Sequence, residues 1–69
     1  MRLIKETWYR IVLPGGRIFA VVAVQANDDP PEIEKAAPAC RWMVGRLLST
    51  VQEWCRRNGG MCLPLPGQT

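Results

Sequence analysis

The feature that most constrains this chain is Pro14-Gly15-Gly16, which separates two long apolar stretches. Residues 3–13 and 17–25 on either side are rich in Ile, Val, Trp, Tyr and Phe, the residue types that favour strands. A Gly-Gly loop between two such stretches predicts a β-hairpin over residues 3–25. In that register Leu13 would pair with Ile18, and Tyr9 with Val22.

The alternation of side chains along this hairpin predicts two faces. The predicted core face carries eight residues: Thr7, Tyr9, Ile11, Leu13, Ile18, Ala20, Val22 and Val24. The other face is too apolar for a sheet surface left in water, chiefly because of Trp8, Val12, Phe19 and Val21. Since an isolated hairpin is only marginally stable, we expect these four residues to form a homodimer interface. The alternative is that the C-terminal tail folds back over them.

The second half of the chain carries the signals of a helix. Asp29 can act as a cap, prolines follow where a first turn tolerates them, and Glu32 lies three residues after Asp29. We predict a helical part over residues 30–58, with a short helical turn before Pro38 and a kink or restart at that proline. Gly59-Gly60 would end the helix.

The remaining residues, 59–69, are rich in proline and are predicted to form an extended tail. A chain of 69 residues is too short for two cores, so residues 1–69 form one domain. The predicted fold class is α+β, with an N-terminal hairpin packed on a C-terminal helix in a homodimer.

A helical wheel of about 100° per residue shows which side of the helix packs on the hairpin. Eight residues fall within one arc of roughly 140°: Cys40, Met43, Val44, Leu47, Leu48, Val51, Trp54 and Cys55. Leu47 is predicted to lie at the centre of this core. Trp42 lies nearly opposite the arc, on the polar face.

A tryptophan on a polar face is a candidate anchor for a partner protein, because Trp and Arg are the residues that most often dominate binding energy. Trp42 begins a ridge at helical spacing, followed by Arg46, Ser49 and Glu53, with Arg56 and Arg57 beside it. Glu53 would repel phosphate, so the ridge suits a groove on another protein better than a nucleic acid. The alternative is that Trp42 packs in a dimer contact or against Pro38 and the tail.

The composition argues against an enzyme and against a metal site. The chain has no His, and its three cysteines, Cys40, Cys55 and Cys62, lack CxxC spacing. We expect buried free thiols in a reducing cytoplasm, with no cofactor. No apolar stretch approaches the roughly 20 residues that span a bilayer.

The charge leaves a second function open. The net charge is +3, and seven of the nine basic residues are Arg, so a nucleic-acid partner is permitted. The runner-up prediction is a small basic DNA-binding regulator that contacts phosphates through Arg46, Arg56 and Arg57. A third hypothesis is that the protein is a purely structural dimer within a larger particle.

The hairpin sequence from Thr7 to Phe19, the proline-started helix and the ridge from Arg41-Trp42 to Glu53-Trp54 together resemble small early proteins of temperate Pseudomonas phages. Among these the chain is most similar to the quorum-sensing anti-activators. The resemblance implies a dimeric protein in the cytoplasm of an infected bacterium. It further implies stoichiometric binding to host proteins, namely a LuxR-type transcriptional activator and the pilus assembly ATPase.

Overall fold

The computed structural model describes residues 3–65, which form a four-stranded antiparallel sheet covered on one face by two helices. The elements are β1 (Ile4–Leu13), β2 (Arg17–Ala26), β3 (Glu32–Ala36), a 3₁₀ helix (Pro38–Met43), α1 (Leu48–Arg57) and β4 (Met61–Pro64). The strands lie in the order β3-β2-β1-β4. The predicted α+β class is therefore confirmed.

The predicted hairpin is present as β1 and β2, but its register differs from the prediction by one residue. Leu13 pairs with Arg17 and Tyr9 with Val21. The turn is the three residues Pro14, Gly15 and Gly16, because proline has no N–H to donate to the ladder and both glycines have φ near +80° (88° and 77°). A three-residue turn shifts β2 by one position.

This shift exchanges the two faces of β2, since side chains alternate along a strand. Ile11 and Leu13 of β1 face the core as predicted, with exposed fractions of 0% and 8%. On β2, however, the core side chains are Phe19 and Val21, and Val21 is 1% exposed. The prediction that Phe19 and Val21 belong to the outer face is therefore wrong, and Ile18 lies there instead.

Residues 32–36 form a strand where the sequence predicted a helical turn. β3 pairs with β2 and buries Ile33, which is 1% exposed. The backbone N–H and carbonyl groups of Ile33 also form hydrogen bonds on the side away from β2. Its N–H donates to the carbonyl of Arg46, and its carbonyl accepts from the N–H of Gly45, at 2.8 Å each. Pairing with β2 on one side and hydrogen bonds to the turn at Gly45 and Arg46 on the other outweigh the local helix signal.

The aspartates that resembled a helix cap lie in the turn between β2 and β3. Asn27 has φ +55°, donates its N–H to the carbonyl of Leu3 at 2.7 Å, and accepts the N–H of Leu3 on its Oδ1 at 3.0 Å. The N–H of Asp29 donates to the carbonyl of Ala26 at 3.0 Å. Asn and Asp favour both caps and turns, and here the turn is formed.

Within residues 30–58, where one kinked helix was predicted, the chain forms two shorter and separate helices. The 3₁₀ helix begins at Pro38, and the chain turns at Gly45, whose φ is +87°. α1 begins at Leu48, whose N–H donates to the carbonyl of Pro31 at 2.8 Å. The positive φ at Gly45 is incompatible with a continuous helix, so the two helices pack at different positions over the sheet.

The predicted extended tail contains β4, which pairs with β1 from Tyr9 to Val12. The chain enters this strand at Gly60, where an added Cβ would collide with the carbonyl oxygen of Val12. Cys62 faces the core, and β4 extends the sheet instead of covering its outer face. Residues 66–69 of the predicted tail lie outside the described residues.

The core lies between the sheet and the two helices. Its fully buried side chains come from five of the six elements: Ile11, Val21, Ile33, Met43, Val51 and Cys55. Leu48 is 6% exposed and belongs to this core, whereas Leu47 is 39% exposed at the residue before α1. The prediction of Leu47 as the centre of the core is therefore wrong by one residue. Among residues 3–65, neither helix has the length and hydropathy needed to cross a membrane.

Replacing Leu48 by Ala should lower the free energy of unfolding by about 2 to 5 kcal/mol, the usual loss for a truncated core leucine. Leu47→Ala is the matched control and should cost about 1 kcal/mol or less, because that side chain is already partly in water. Urea unfolding of the two variants measures the difference. Equal losses would contradict the assignment of Leu48 to the core.

Candidate protein-binding site

Two tryptophans from different helices meet on the surface. The rings of Trp42, in the 3₁₀ helix, and Trp54, in α1, have centroids 4.9 Å apart and planes inclined by 65°, an edge-to-face contact. Trp42 is 42% exposed and Trp54 is half-buried. Such a pair contributes about 0.5 to 1.5 kcal/mol beyond the area it buries. The contact therefore orients the Trp42 ring while leaving much of it in water.

Arg46 completes this arrangement from the segment between the helices. Its guanidinium carbon lies 5.9 Å from the centroid of the Trp42 ring, and its Nε donates to the Trp42 carbonyl oxygen at 3.3 Å. A cation over an indole face is attracted by the ring quadrupole, by about 0.5 to 1 kcal/mol at an exposed position. We call Trp42, Arg46 and Trp54 the tryptophan cluster.

A groove of about 280 Å³ runs beside the tryptophan cluster, between the helices and the β1–β2 turn. Trp42 and Trp54 line it together with the apolar side chains of Leu13 and Phe19. The polar side chain of Arg17 also lines it, near the turn, and its Nε donates to the Pro14 carbonyl oxygen at 3.4 Å. The groove thus combines aromatic and apolar side chains with polar groups, among them Asn58 and, at one end, the Arg17 cation.

Glu53 is held by two arginines on the exposed side of α1. Arg56 binds it in a bidentate way, with Nη2 at 2.6 Å from Oε1 and Nε at 3.1 Å from Oε2, and the Arg57 Nε donates to Oε1 at 3.1 Å. The hydrogen bond from Arg56 is the main reason that the pKa of Glu53 is lowered. The same contact raises the pKa of Arg56. Two cations thus share one carboxylate.

The predicted ridge is divided between two groups because the chain turns at Gly45. Trp42 and Arg46 are together in the tryptophan cluster, and Glu53 is together with Arg56 and Arg57. Ser49 is exposed on α1 and lines a shallow depression with Glu53, Trp54 and Arg57. The prediction of one continuous helical ridge is therefore wrong, although Trp54 connects the two groups.

Sequence reasoning missed the role of Trp54 and the groove. A helical wheel is drawn for one straight helix, and it therefore places Trp54 among the eight residues of the core arc, away from Trp42. The signal available in the sequence was Gly45, a residue that readily adopts positive φ and interrupts helices. The packing of the β1–β2 turn against α1 carried no sequence signal.

The residues expected at a dimer interface are also divided by the structure. Trp8 and Val12 lie on the outer sheet face, and Trp8 is 39% exposed. Phe19 and Val21 lie on the core face, half-buried and buried, so neither belongs to the outer face on which the dimer interface was predicted. The outer face, which we call the open face, consists by strand alternation of Ile4, Glu6, Trp8, Arg10, Val12, Ile18, Ala20, Val22, Val24, Ala26, Glu32, Lys35, Met61 and Leu63, of which Val22 is only 3% exposed.

The surroundings of the three cysteines disfavour their thiolate forms. Cys40 and Cys55 are buried and Cys62 is half-buried, all as free thiols. Burial raises the pKa of each of them, that of Cys62 to about 11. The thiolate is the nucleophile and the metal ligand, and at neutral pH these groups remain protonated. Within residues 3–65 no group of three Cys, Asp or Glu side chains is placed to hold a metal ion.

The raised pKa of Cys62 has a measurable consequence for reactivity and stability. At pH 8 its thiolate fraction should be about 100-fold below that of a thiol with the ordinary pKa of 9.0, because the pKa is about 11. Ellman's reagent should therefore react slowly with the folded protein and rapidly with three thiols in denaturant.

The folded chain also holds this proton more tightly than the unfolded chain. The resulting stabilisation is complete below about pH 9 and is lost as the pH rises towards 11. Cys62→Ala should remove that part of the alkaline destabilisation in pH-dependent urea unfolding. A thiol that reacts rapidly in the folded protein, or an unchanged alkaline profile, would contradict this account.

Comparison of the chain with protein-family models, with curated proteins and with solved structures gave no match.

Proposed function

We propose that this chain is a small protein-binding inhibitor, which sequesters a host protein by stoichiometric contact through the tryptophan cluster and the adjoining groove. The proposed role requires neither catalysis nor a cofactor. The observation that carries it is the Trp42 ring, which is 42% exposed and yet held in one orientation by Trp54 and Arg46.

A preorganised aromatic surface is well suited to binding. Ordering a flexible side chain at an interface costs about 0.5 to 1.5 kcal/mol, and a ring that is already oriented avoids most of that cost. Trp and Arg are also enriched among the residues that dominate binding energies. The groove beside Trp42 offers a mixed aromatic and polar surface that a side chain of the partner can enter.

The charges on α1 favour a protein partner over a nucleic acid. Arg56 and Arg57 both donate to Glu53, so part of their hydrogen-bonding capacity is used within the chain. A phosphate approaching them would also approach the carboxylate. The DNA-binding alternative depends on these same arginines, so it would require the Glu53 contacts to be exchanged for phosphate contacts.

The candidate partners come from the resemblance of the chain to the phage quorum-sensing anti-activators. We propose a LuxR-type transcriptional activator, the pilus assembly ATPase, or both, bound in the cytoplasm of an infected bacterium. The proposed inhibitor acts as a homodimer. The apolar side chains of the open face, of which Ile18 and Met61 are 58% and 54% exposed, support dimerisation.

Replacing Trp42 by Ala tests the proposed function. The affinity for the partner should fall by about 2 kcal/mol or more, roughly 30-fold, which is the threshold for a dominant interface residue. Folding should persist, because Trp42 contributes an exposed aromatic contact and lies outside the buried core. Calorimetric titration of the purified LuxR-type activator and of the pilus ATPase measures the affinity.

Val44→Ala is the matched control for Trp42→Ala, since Val44 is 45% exposed, lies two residues away and is outside the tryptophan cluster. It should bind as the parent does. Arg46→Ala and Glu53→Ala should weaken binding less than Trp42→Ala, because exposed charges contribute little. A folded Trp42→Ala protein that binds both candidates unchanged would contradict the proposal.

Salt dependence separates the protein-binding proposal from the DNA-binding alternative. Binding to phosphates weakens steeply with salt, and each lost phosphate contact makes the dependence shallower. With a protein partner we expect a weak dependence, and at least one of Arg56→Ala and Arg57→Ala should leave the affinity almost unchanged. Duplex DNA binding that weakens with both substitutions would instead support the alternative.

A further inference from the structure

The open face of β1 has a symmetric order of side chains. It reads Ile4, Glu6, Trp8, Arg10 and Val12, with an aromatic residue at the centre, opposite charges on either side and aliphatic residues at both ends. Successive residues on one face of a strand are about 6.6 Å apart, so Glu6 and Arg10 are separated by about 13 Å. They are too far apart to form an ion pair with each other within one chain.

Both charges stand among apolar neighbours. In the sheet register Glu6 lies beside Val24, and Arg10 lies between Ala20 and Leu63. Among the residues that the structure describes, the ion pairs are those of Glu53, and neither Glu6 nor Arg10 takes part in one. A purely apolar covering would leave two uncompensated charges buried, which is costly. The covering surface must therefore offer an acid opposite Arg10 and a base opposite Glu6.

We propose that this covering surface is the open face of a second copy, stacked face to face with β1 antiparallel to β1 and the two-fold axis passing at Trp8. This inference rests on the homodimer in the proposed function and specifies its surface and orientation. About Trp8, Glu6 of each copy faces Arg10 of the other. The two tryptophans meet at the axis, and Ile4 faces Val12 at each end.

The same axis matches the open face of β2. Val22 pairs with Trp8 in the sheet, so the Val22 side chains of the two copies lie at the axis, each only 3% exposed within its own chain. Ala20 then lies over Val24, and Ile18 over Ala26. These contacts are apolar throughout, as the interior of two stacked sheets requires. Lys35 lies beside Val22 in the same row, on the edge strand β3, so it faces Lys35 of the second copy. Both long side chains can turn their ammonium groups into water at the margin of the interface, which keeps this like-charge contact weak.

Charge disfavours the parallel arrangement of the same two faces. With β1 parallel to β1, Glu6 would face Glu6 and Arg10 would face Arg10, and like charges across an interface are repulsive. The antiparallel arrangement replaces both repulsions with attractions and keeps the apolar contacts. The face is also large enough for a small specific interface. Four strands with these bounds cover on the order of 450 Å² in projection, and their accessible side-chain surface is larger.

The first test is whether the full chain dimerises through the open face. Sedimentation equilibrium over the micromolar range measures the dimer dissociation constant. Trp8→Arg should abolish the dimer, because it places a charge at the axis. Leu47→Arg is the matched control, since Leu47 has the same 39% exposure as Trp8 and lies off the open face. If Trp8→Arg also unfolds the chain by circular dichroism, Ile18→Arg replaces it, because Ile18 is 58% exposed and tolerates a polar residue in the monomer.

Charge exchange then tests the orientation. Glu6→Arg and Arg10→Glu should each raise the dimer dissociation constant about tenfold or more, because each creates two like-charge contacts across the axis. The double variant carrying both substitutions restores opposite charges and should dimerise as the parent does. An equal mixture of the two single variants should form a heterodimer, since one copy is then positive at both positions and the other negative.

Three outcomes overturn the inference. Single variants that dimerise as the parent does would reject the antiparallel arrangement. A double variant as weak as the single variants would reject the pairing of Glu6 with Arg10. A parent chain that stays monomeric throughout the micromolar range would reject the homodimer as well. Partner affinity of the same variants, measured separately, distinguishes this failure from a failure of the tryptophan cluster.

Discussion

The rest of this structure depends on the three-residue turn between β1 and β2. Both glycines in it have positive φ, and Pro14 cannot join the ladder, so Leu13 pairs with Arg17. This register decides that Phe19 and Val21 enter the core and that Ile18 remains outside. A two-residue turn would bury a different set of β2 side chains. One extra residue in the turn therefore determines both the core and the open face.

The second determining feature is the turn at Gly45. The segment before it forms a strand pair with β2 and a 3₁₀ helix, and the segment after it forms α1. Because the backbone of Ile33 is hydrogen bonded to residues 45 and 46, the segment that joins the two helices is held against β3. The result is the contact between Trp42 and Trp54, which a straight helix would place about 120° apart around its axis and about 18 Å apart along it.

The two faces of the sheet then have different roles in the proposed function. The helix-covered face contains the core and carries the tryptophan cluster on its outer side, away from the open face. The open face is apolar apart from a few charges, and two of these charges are placed symmetrically about Trp8. Under our proposals a dimer formed through the open face leaves both tryptophan clusters accessible. Each copy can therefore bind a partner while the dimer persists.

The sequence by itself determined the α+β class, the hairpin and the burial of Cys40, Met43, Val51 and Cys55, because these follow from local turn residues and apolar spacing. It also identified Trp42 as an exposed aromatic residue. The tertiary structure decided the one-residue register of β2, the strand over Glu32–Ala36 and the strand over Met61–Pro64. These depend on hydrogen bonds between segments far apart in the chain. The competing local signals, a capping aspartate and a proline-rich tail, were each compatible with two conformations. Pairing with a neighbouring strand selected one of them, since that choice buries Ile33 and satisfies the backbone at once.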